Sequence, residues 1–542
     1  MRARLFTREE DPVRGRFVPI LLAAASLGVF AAGASASPFA ITGPLGAPDN
    51  PFPAGCGGPG ESGGAFLYPD SEVEPWFEVN PADPNDMVAF TQQDRWSDGG
   101  AHGLATVVTH DGGTTWTTPA PPKFSRCAGG TLANGGYYER SSDPWVSFAA
   151  DGTLHAISIS FDRSSARNAV LVSKSINQGD SWSDPITLRF DTSSSGALAN
   201  LFNDKESITA DPDNEHVYTV WDRITSPADN PRLPPPSYEN SLAWHGPTWF
   251  ARSTDAGDSW ETAHPIFAPK ASRTQTIGNQ IVVLPNGALV NGFNYIYYSK
   301  GGVVRGEDHV TVIRSTDKGE TWSNAIHVAN MGDRGVYDPE PVAQCRPDMS
   351  PTTLCTLVRT GDIVPDFAVD RTTNMATRGN LYAVWQSHVS ATANGRAADD
   401  TIYLSRSTDG GRHWSASPVK VNDTTAGKQA FTAAVHVAAD GTVGVTYYDF
   451  RNDVTGDGEL TTDYWIAHSH DGGLTFGPSQ RLTQTGSFDM RDAPYARGYF
   501  VGDYAGLSNA GSVFKSFFDV GTPGVPSGSV NDRSDNMWAS AG

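Results

Sequence analysis

The chain is 542 residues long and carries a formal net charge of −21, with 39 lysines and arginines against 60 aspartates and glutamates. That balance argues against nucleic acid or an anionic membrane surface as a partner, while leaving room for a local basic pocket. With 56 glycines, 37 prolines and no helix-period apolar stripes, the composition is that of many short strands joined by turns.

The first residues hold Arg2, Arg4, Arg14 and Arg16, then an apolar run from Phe17 to Ala32, then Ala34-Ser35-Ala36. A charged region, a hydrophobic region and an A-x-A site in that order predict a secretory signal, residues 1–36, cleaved after Ala36. The run is short of the ~20 residues that a membrane span needs, and no later stretch reaches that length. The expectation is a secreted chain without membrane insertion after cleavage, and a monomer. Of the three pairings open to four cysteines, Cys345 with Cys355 and Cys56 with Cys127 is favoured: the first closes a small loop, the second ties down the N-terminal segment. The cysteines lack C-x-x-C or companion histidine spacing, so no metal is expected there, and no cofactor elsewhere.

Residues 37–71 form a segment that could pair with the last sheet and close a ring. From residue 72 onward an eight-residue phrase recurs six times: Thr109–Trp116, Ser175–Trp182, Ser253–Trp260, Ser315–Trp322, Ser407–Trp414 and Ser469–Phe476. Each has a hydroxyl residue, then Asp or Asn, a fifth-position Gly and a closing aromatic. The acid can accept backbone N–H bonds of its own turn, and Gly supplies positive φ. Recurrence at intervals of roughly 60 to 90 residues means that one supersecondary unit is being stacked. Each block reads as four strands; in the third they are 206–212, His216–Arg223, Thr248–Ser253 and a strand starting at Trp260. Three further strands, Tyr499–Leu507, Ser512–Val520 and Asn536–Ala539, follow the sixth phrase. Seven blades is the favoured count, and six is compatible with a tail packed elsewhere.

The phrase resembles the Asp-box, or bacterial neuraminidase repeat, of sialidases and related β-propellers. The resemblance implies an all-β propeller of four-stranded antiparallel blades spanning residues 72–542, with these turns on the face away from the catalytic mouth. The loops at the opposite end then include Arg95, Arg163, Arg223, Arg451 and Arg497, which are candidates for binding an anionic sugar because a guanidinium meets a carboxylate through two parallel bonds. The same loops carry Glu72, Glu74, Lys205, Arg359 and Asp503.

Sialidases hold the substrate carboxylate with three arginines, attack with a glutamate-activated tyrosine and use an aspartate as acid/base. Tyr504, within Gly502–Leu507, is loosely similar to the Tyr-x-x-Leu around that nucleophile, with Tyr447 and Tyr448 as rivals; Glu206 is the best-placed glutamate and Asp143 the candidate acid. The family's Arg-Ile-Pro signature is missing: the stretch where it is expected begins Trp76-Phe-Glu-Val-Asn-Pro. The expected function is a sialidase-like glycoside hydrolase acting on an acidic glycan. A binding propeller without catalysis, or a lyase on uronate polymers, would fit the same fold. Asp453, Asp457 and Glu459 resemble part of a calcium loop, although its twelfth position is Tyr464 rather than a bidentate Glu.

Overall fold

The computed structural model describes residues 50–542 except 59, 193–200, 226–244, 272–273, 299–304, 333–334, 389–399 and 426, so the expected signal lies outside the described residues. Everything described is strand, turn or loop apart from one 3-10 turn, Met490–Asp492. The strands form antiparallel meanders. Leu67–Val79, Met87–Trp96 and Ala101–Thr109 make the first, joined through the pair Ala101 and Ser141 to the second, Arg140–Phe148, Leu154–Phe161, Asn168–Ser175 and Ile186–Asp191. The third, fourth, fifth and sixth begin with Leu201–Ala210, Thr274–Val283, Asp366–Val369 and Ala430–Val437, and the last comprises Gly506–Ala510, Val513–Gly521 and Ser534–Ala541. A small additional sheet sets Leu354–Arg359 beside Val336–Ala343 and, in parallel, beside Tyr499–Phe500. The strand expected from Tyr499 to Leu507 is therefore two strands in different sheets, with Gly502 and Asp503 between them.

Strands such as Met87–Trp96 and Thr274–Val283 are buried along their whole length, because both faces of each sheet are covered by neighbours. The first strands of successive meanders pack on one another, and Leu67–Val79 packs on all three strands of the last meander. At that seam the Val79 amide donates to Ser508 Oγ (3.3 Å), the Arg533 amide to Ser71 Oγ (2.9 Å) and the Asp532 amide to the Pro69 carbonyl (2.8 Å). The result is a propeller-like all-β architecture. The N-terminal residues 50–66 form no strand on the last sheet; they are tied to the first sheets by the Cys56–Cys127 disulfide and by Glu61 against His102 Nε2 (3.3 Å). Cys345 and Cys355 are joined in the additional sheet.

All six eight-residue turns close in the same way. The third-position carboxylate or amide oxygen accepts the backbone N–H of the seventh residue at 2.8–3.1 Å. The first-position hydroxyl accepts the N–H of the fifth-position glycine at 2.8–3.0 Å. That glycine packs on the preceding sheet: Gly179 on Val108, Gly257 on His155, Gly319 on Phe250 and Gly473 on Tyr382. Gly113, in the first meander, packs on Trp538 of the last. Gly113→Ala is expected to cost about 2–4 kcal/mol, combining φ of +92° with a collision against Trp538. Gly456→Ala, also at positive φ but with open space around it, should cost only the backbone strain of about 1 kcal/mol. Thermal melts of the two variants separate seam packing from strain; equal losses would show that the seam contact contributes nothing.

Candidate functional site

Strand register separates the two ends of the molecule. Met87 pairs with both Val79 and Thr109, which puts the first turn at one end, while Arg95 pairs with Tyr68 and Ala101 at the other. Between these ends five first strands carry a bulge at the matching place, seen as register shifts at 73/76, 142/145, 204/207, 277/280 and 431/434. The residues bulged there, Glu74, Asp143, Lys205, Gly278 and Thr432, all have φ between +47° and +68°. Glycine is the natural occupant of that conformation; a side chain held there costs of order 1 kcal/mol and is re-aimed out of the strand's alternation. Four of the five positions carry a side chain.

These bulges converge. Lys205 Nζ lies 3.0 Å from Glu74 Oε1, 2.9 Å from Asp143 Oδ1 and 2.8 Å from Asp503 Oδ2, all four residues being buried. Asp503 also accepts from Arg359 Nη2 at 2.9 Å. Glu74 Oε2 accepts a short bond from the Gln92 amide, whose carbonyl in turn accepts from Arg95 Nη1 at 2.9 Å. Arg95 and Arg359 both lie against the Phe500 ring, 5.1 and 4.2 Å from its centroid. Arg95 is 1% exposed, its recorded bonds run from Nη1 to Gln92 and the Gly100 carbonyl, and its Nε is buried with no partner among the described residues. Arg359 Nη1 is likewise buried without one. Two guanidinium groups thus present buried, unpartnered N–H donors beside the acidic cluster, both against Phe500.

Burial raises the Glu74 carboxyl to about 7 against the opposing pull of Lys205. Asp503 goes the other way: although burial would raise it, Arg359 and Lys205 hold it well below the usual carboxylate range. One group is therefore placed to carry a proton at neutral pH and a neighbour on the same ammonium to stay ionised, the pattern of an acid and its partner carboxylate.

Adjoining the cluster, segments from all seven main meanders surround one cavity, lined by Lys205 and Asp503 and also by Trp76, Trp145, Glu206 and Tyr504. Its volume of about 20 Å³ holds little more than one water. Tyr504 is packed here, its ring edge-on to Trp76 and Trp145 at 6.0 and 5.7 Å. Its hydroxyl donates to the Pro144 carbonyl (3.3 Å), not to a glutamate as the tyrosine-nucleophile expectation requires, and burial with Glu74 and Asp143 beside it pushes the phenol well up. Glu206 accepts from the Ile159 amide, and burial raises it well above its ordinary range.

Of the expected catalytic residues, Asp143 is in the cluster, whereas Glu206 and Tyr504 line the adjoining cavity together with Lys205 and Asp503. The five expected arginines divide. Arg163 is bonded to Asp98 (2.7 Å), Arg223 to Asp191 through two bonds (2.9 and 2.7 Å), and Arg451 to Asp449 and Asp423 (2.7 and 2.8 Å). Those three are bracing contacts, although Asp98 is shared with Arg140 and Asp191 with Arg189. Arg95 belongs to the cluster, and Arg497, at φ +68°, is electrostatically coupled to Arg95 and Asp503. Tyr447 and Tyr448, the rival nucleophiles, are buried with their hydroxyls bonded to Ser479 and to the Asp519 carbonyl. In the acidic loop, Asp453 Oδ1 accepts the Thr461 amide and Asp457 Oδ1 the Glu459 amide, both at 3.0 Å, so these carboxylates close their own turns.

Glu74, Lys205, Arg359 and Asp503 stood among the mouth residues without a role. A usable signal was present in the repeated acid-Pro-Trp of Glu74-Pro75-Trp76 and Asp143-Pro144-Trp145, which marks the same bulge in consecutive meanders.

No protein-family model matches the chain, and no curated protein does. Among solved structures, a Hadza microbial sialidase is 14% identical over 85% of this chain and 74% of its own, with a TM-score of 0.43. An α-L-arabinanase from Penicillium chrysogenum, in complex with arabinobiose, is 13% identical over 76% of this chain and 94% of its own, at 0.43. NanB sialidase from Streptococcus pneumoniae is 9% identical over 87% of this chain and 94% of its own, also at 0.43. Likenesses this distant transfer neither substrate nor mechanism.

Proposed function

We propose that the protein is an exported glycoside hydrolase, a seven-bladed Asp-box propeller closed at the Gly113–Trp538 seam, that cleaves an acidic sugar at the mouth opposite its turns. The observation that carries this reading is the convergence of Glu74, Asp143 and Asp503 on Lys205, flanked by two arginines with unpartnered buried donors. Arg95 and Arg359 would receive the sugar's carboxylate. Glu74 would give its proton to the glycosidic oxygen as that bond breaks; Asp503 or Asp143 would either stabilise the positive charge developing on the sugar or take a proton from the incoming water. In this mechanism a carboxylate replaces Tyr504 as the group opposite the acid.

The bracing of Arg163, Arg223 and Arg451 favours a second reading, a binding propeller without turnover. The test is an assay of residues 37–542 on a sialoside and on uronate oligosaccharides, following reducing-end release and absorbance of unsaturated product. Release of reducing sugar from an acidic glycan is the expected result. Unsaturated product would instead indicate a lyase, and binding without cleavage would favour the second reading.

A further inference from the structure

The three carboxylates around Lys205 come from three separate segments: Glu74 and Asp143 from bulges in the first strands of the first and second meanders, Asp503 from the residue after Gly502. An ammonium has three N–H donors, and here each has one carboxylate at 2.8–3.0 Å. No donor is left for a substrate. Lys205 is itself held in a strained backbone conformation, φ +47°, where the fourth meander has Gly278. A long, desolvated side chain placed at a bulge, where glycine would cost less, indicates selection for where its charge ends up.

The surrounding charges add a second constraint. Lys205, Arg359 and Arg95 all bring positive charge to the three carboxylates, and the second oxygen of Glu74 meets the neutral amide of Gln92. Asp204 and Glu206, either side of Lys205, are raised well above their usual range by burial and bring no compensating cation. Asp519 faces Glu74 from the last meander, Arg95 acts on all three carboxylates, and Arg497 acts on Asp503. The Tyr504 ring is 5.3 Å from the ammonium.

We propose that Lys205 is the positioning residue of this site, a three-way clamp that fixes Glu74, Asp143 and Asp503 in one geometry. Its consequence for turnover rests on the hydrolase reading; the clamp does not. Lys205→Met keeps the length of the stem and deletes the charge. Without it Glu74 loses the cation that most strongly opposes its burial, so its proton is held to higher pH.

The experiment is a carboxyl ¹³C NMR titration of the full protein between pH 4 and 9. In the unaltered protein one cluster carboxyl should titrate near neutrality, identified by its loss in Glu74→Gln. Lys205→Met should move that titration to higher pH, Lys205→Arg should leave it in place, and Lys205→Met with Asp503→Asn should bring it part of the way back. A folded Lys205→Met with an unmoved titration overturns the proposal. If Lys205→Met does not fold, recovery of folding in the double variant supports the clamp, and failure of the double variant beside a folded Lys205→Arg overturns it. Should the protein hydrolyse an acidic glycan, Lys205→Met should lower kcat by ~10²- to 10³-fold with little change in KM and move the basic limb of the pH profile upward. An unmoved profile overturns the role in turnover. Inactivity of the unaltered protein on every acidic glycan would sink the hydrolase reading while the titration still decides the clamp.

Discussion

Glu74→Gln is expected to remove turnover while preserving the fold at acid pH. The carboxamide has the shape of the protonated carboxyl and still offers an oxygen to Lys205, but it has no proton to give a leaving group. Loss of a general acid is typically worth ~10²- to 10⁴-fold in rate. Stability provides an independent check whose sign follows from the shift. Glu74 holds its proton up to about 7 in the folded protein, against 4.5 for a free glutamate. A raised carboxyl stabilises the folded state fully below the lower value and progressively less as pH rises through the upper one. Its contribution, about 3 kcal/mol by linkage, should therefore disappear between pH 4.5 and 7. The Gln variant lacks that dependence, so the difference between the two proteins' melting curves should change across this window. Parallel curves would mean that Glu74 carries no special proton.

Arg359→Ala is expected to have the second largest effect, in two separable ways. It leaves Asp503 with Lys205 as its remaining cation, and breaking one partner of a buried pair commonly costs 3–5 kcal/mol. It also removes a donor facing the Phe500 flank, which should raise KM for an acidic sugar by roughly 10- to 100-fold, the scale of a lost charge-assisted bond. A neutral analogue of the same sugar should show no such rise. Arg359→Lys should recover much of the stability and little of the affinity, since an ammonium cannot reproduce the planar fork. Arg223→Ala is the comparison: it breaks a two-bond pair with Asp191 and should lower the melting temperature with KM unchanged. Equal changes in KM for Arg223→Ala and Arg359→Ala would place the anion subsite elsewhere.

Which arginines bind and which brace could not be read from the chain, because the same Asp-Arg pattern after a second strand serves both ends. Asp94-Arg95 and Asp222-Arg223 look alike in sequence. In the folded chain Asp94 pairs with His102 (2.8 Å), which leaves Arg95 with neutral partners, whereas Arg223 finds Asp191 from the second meander. The choice of Tyr504 and Glu206 had a similar origin. Each directly follows a cluster member, Lys205 or Asp503, and lines the same cavity, where Tyr504 is packed on Trp76 and Trp145.

The turns, their spacing and the all-β class were legible because each depends on contacts within a few residues. Asp111 closes on Thr115, and the same four-residue reach recurs in every copy. The cluster was not, because Glu74, Asp143, Lys205, Arg359 and Asp503 are brought together only when separate sheets stack around one axis and their first strands bulge in register. By itself the sequence determined local turn chemistry and the repeat. The tertiary structure decided which charges meet, and low dielectric at that meeting point then set which of them keeps a proton.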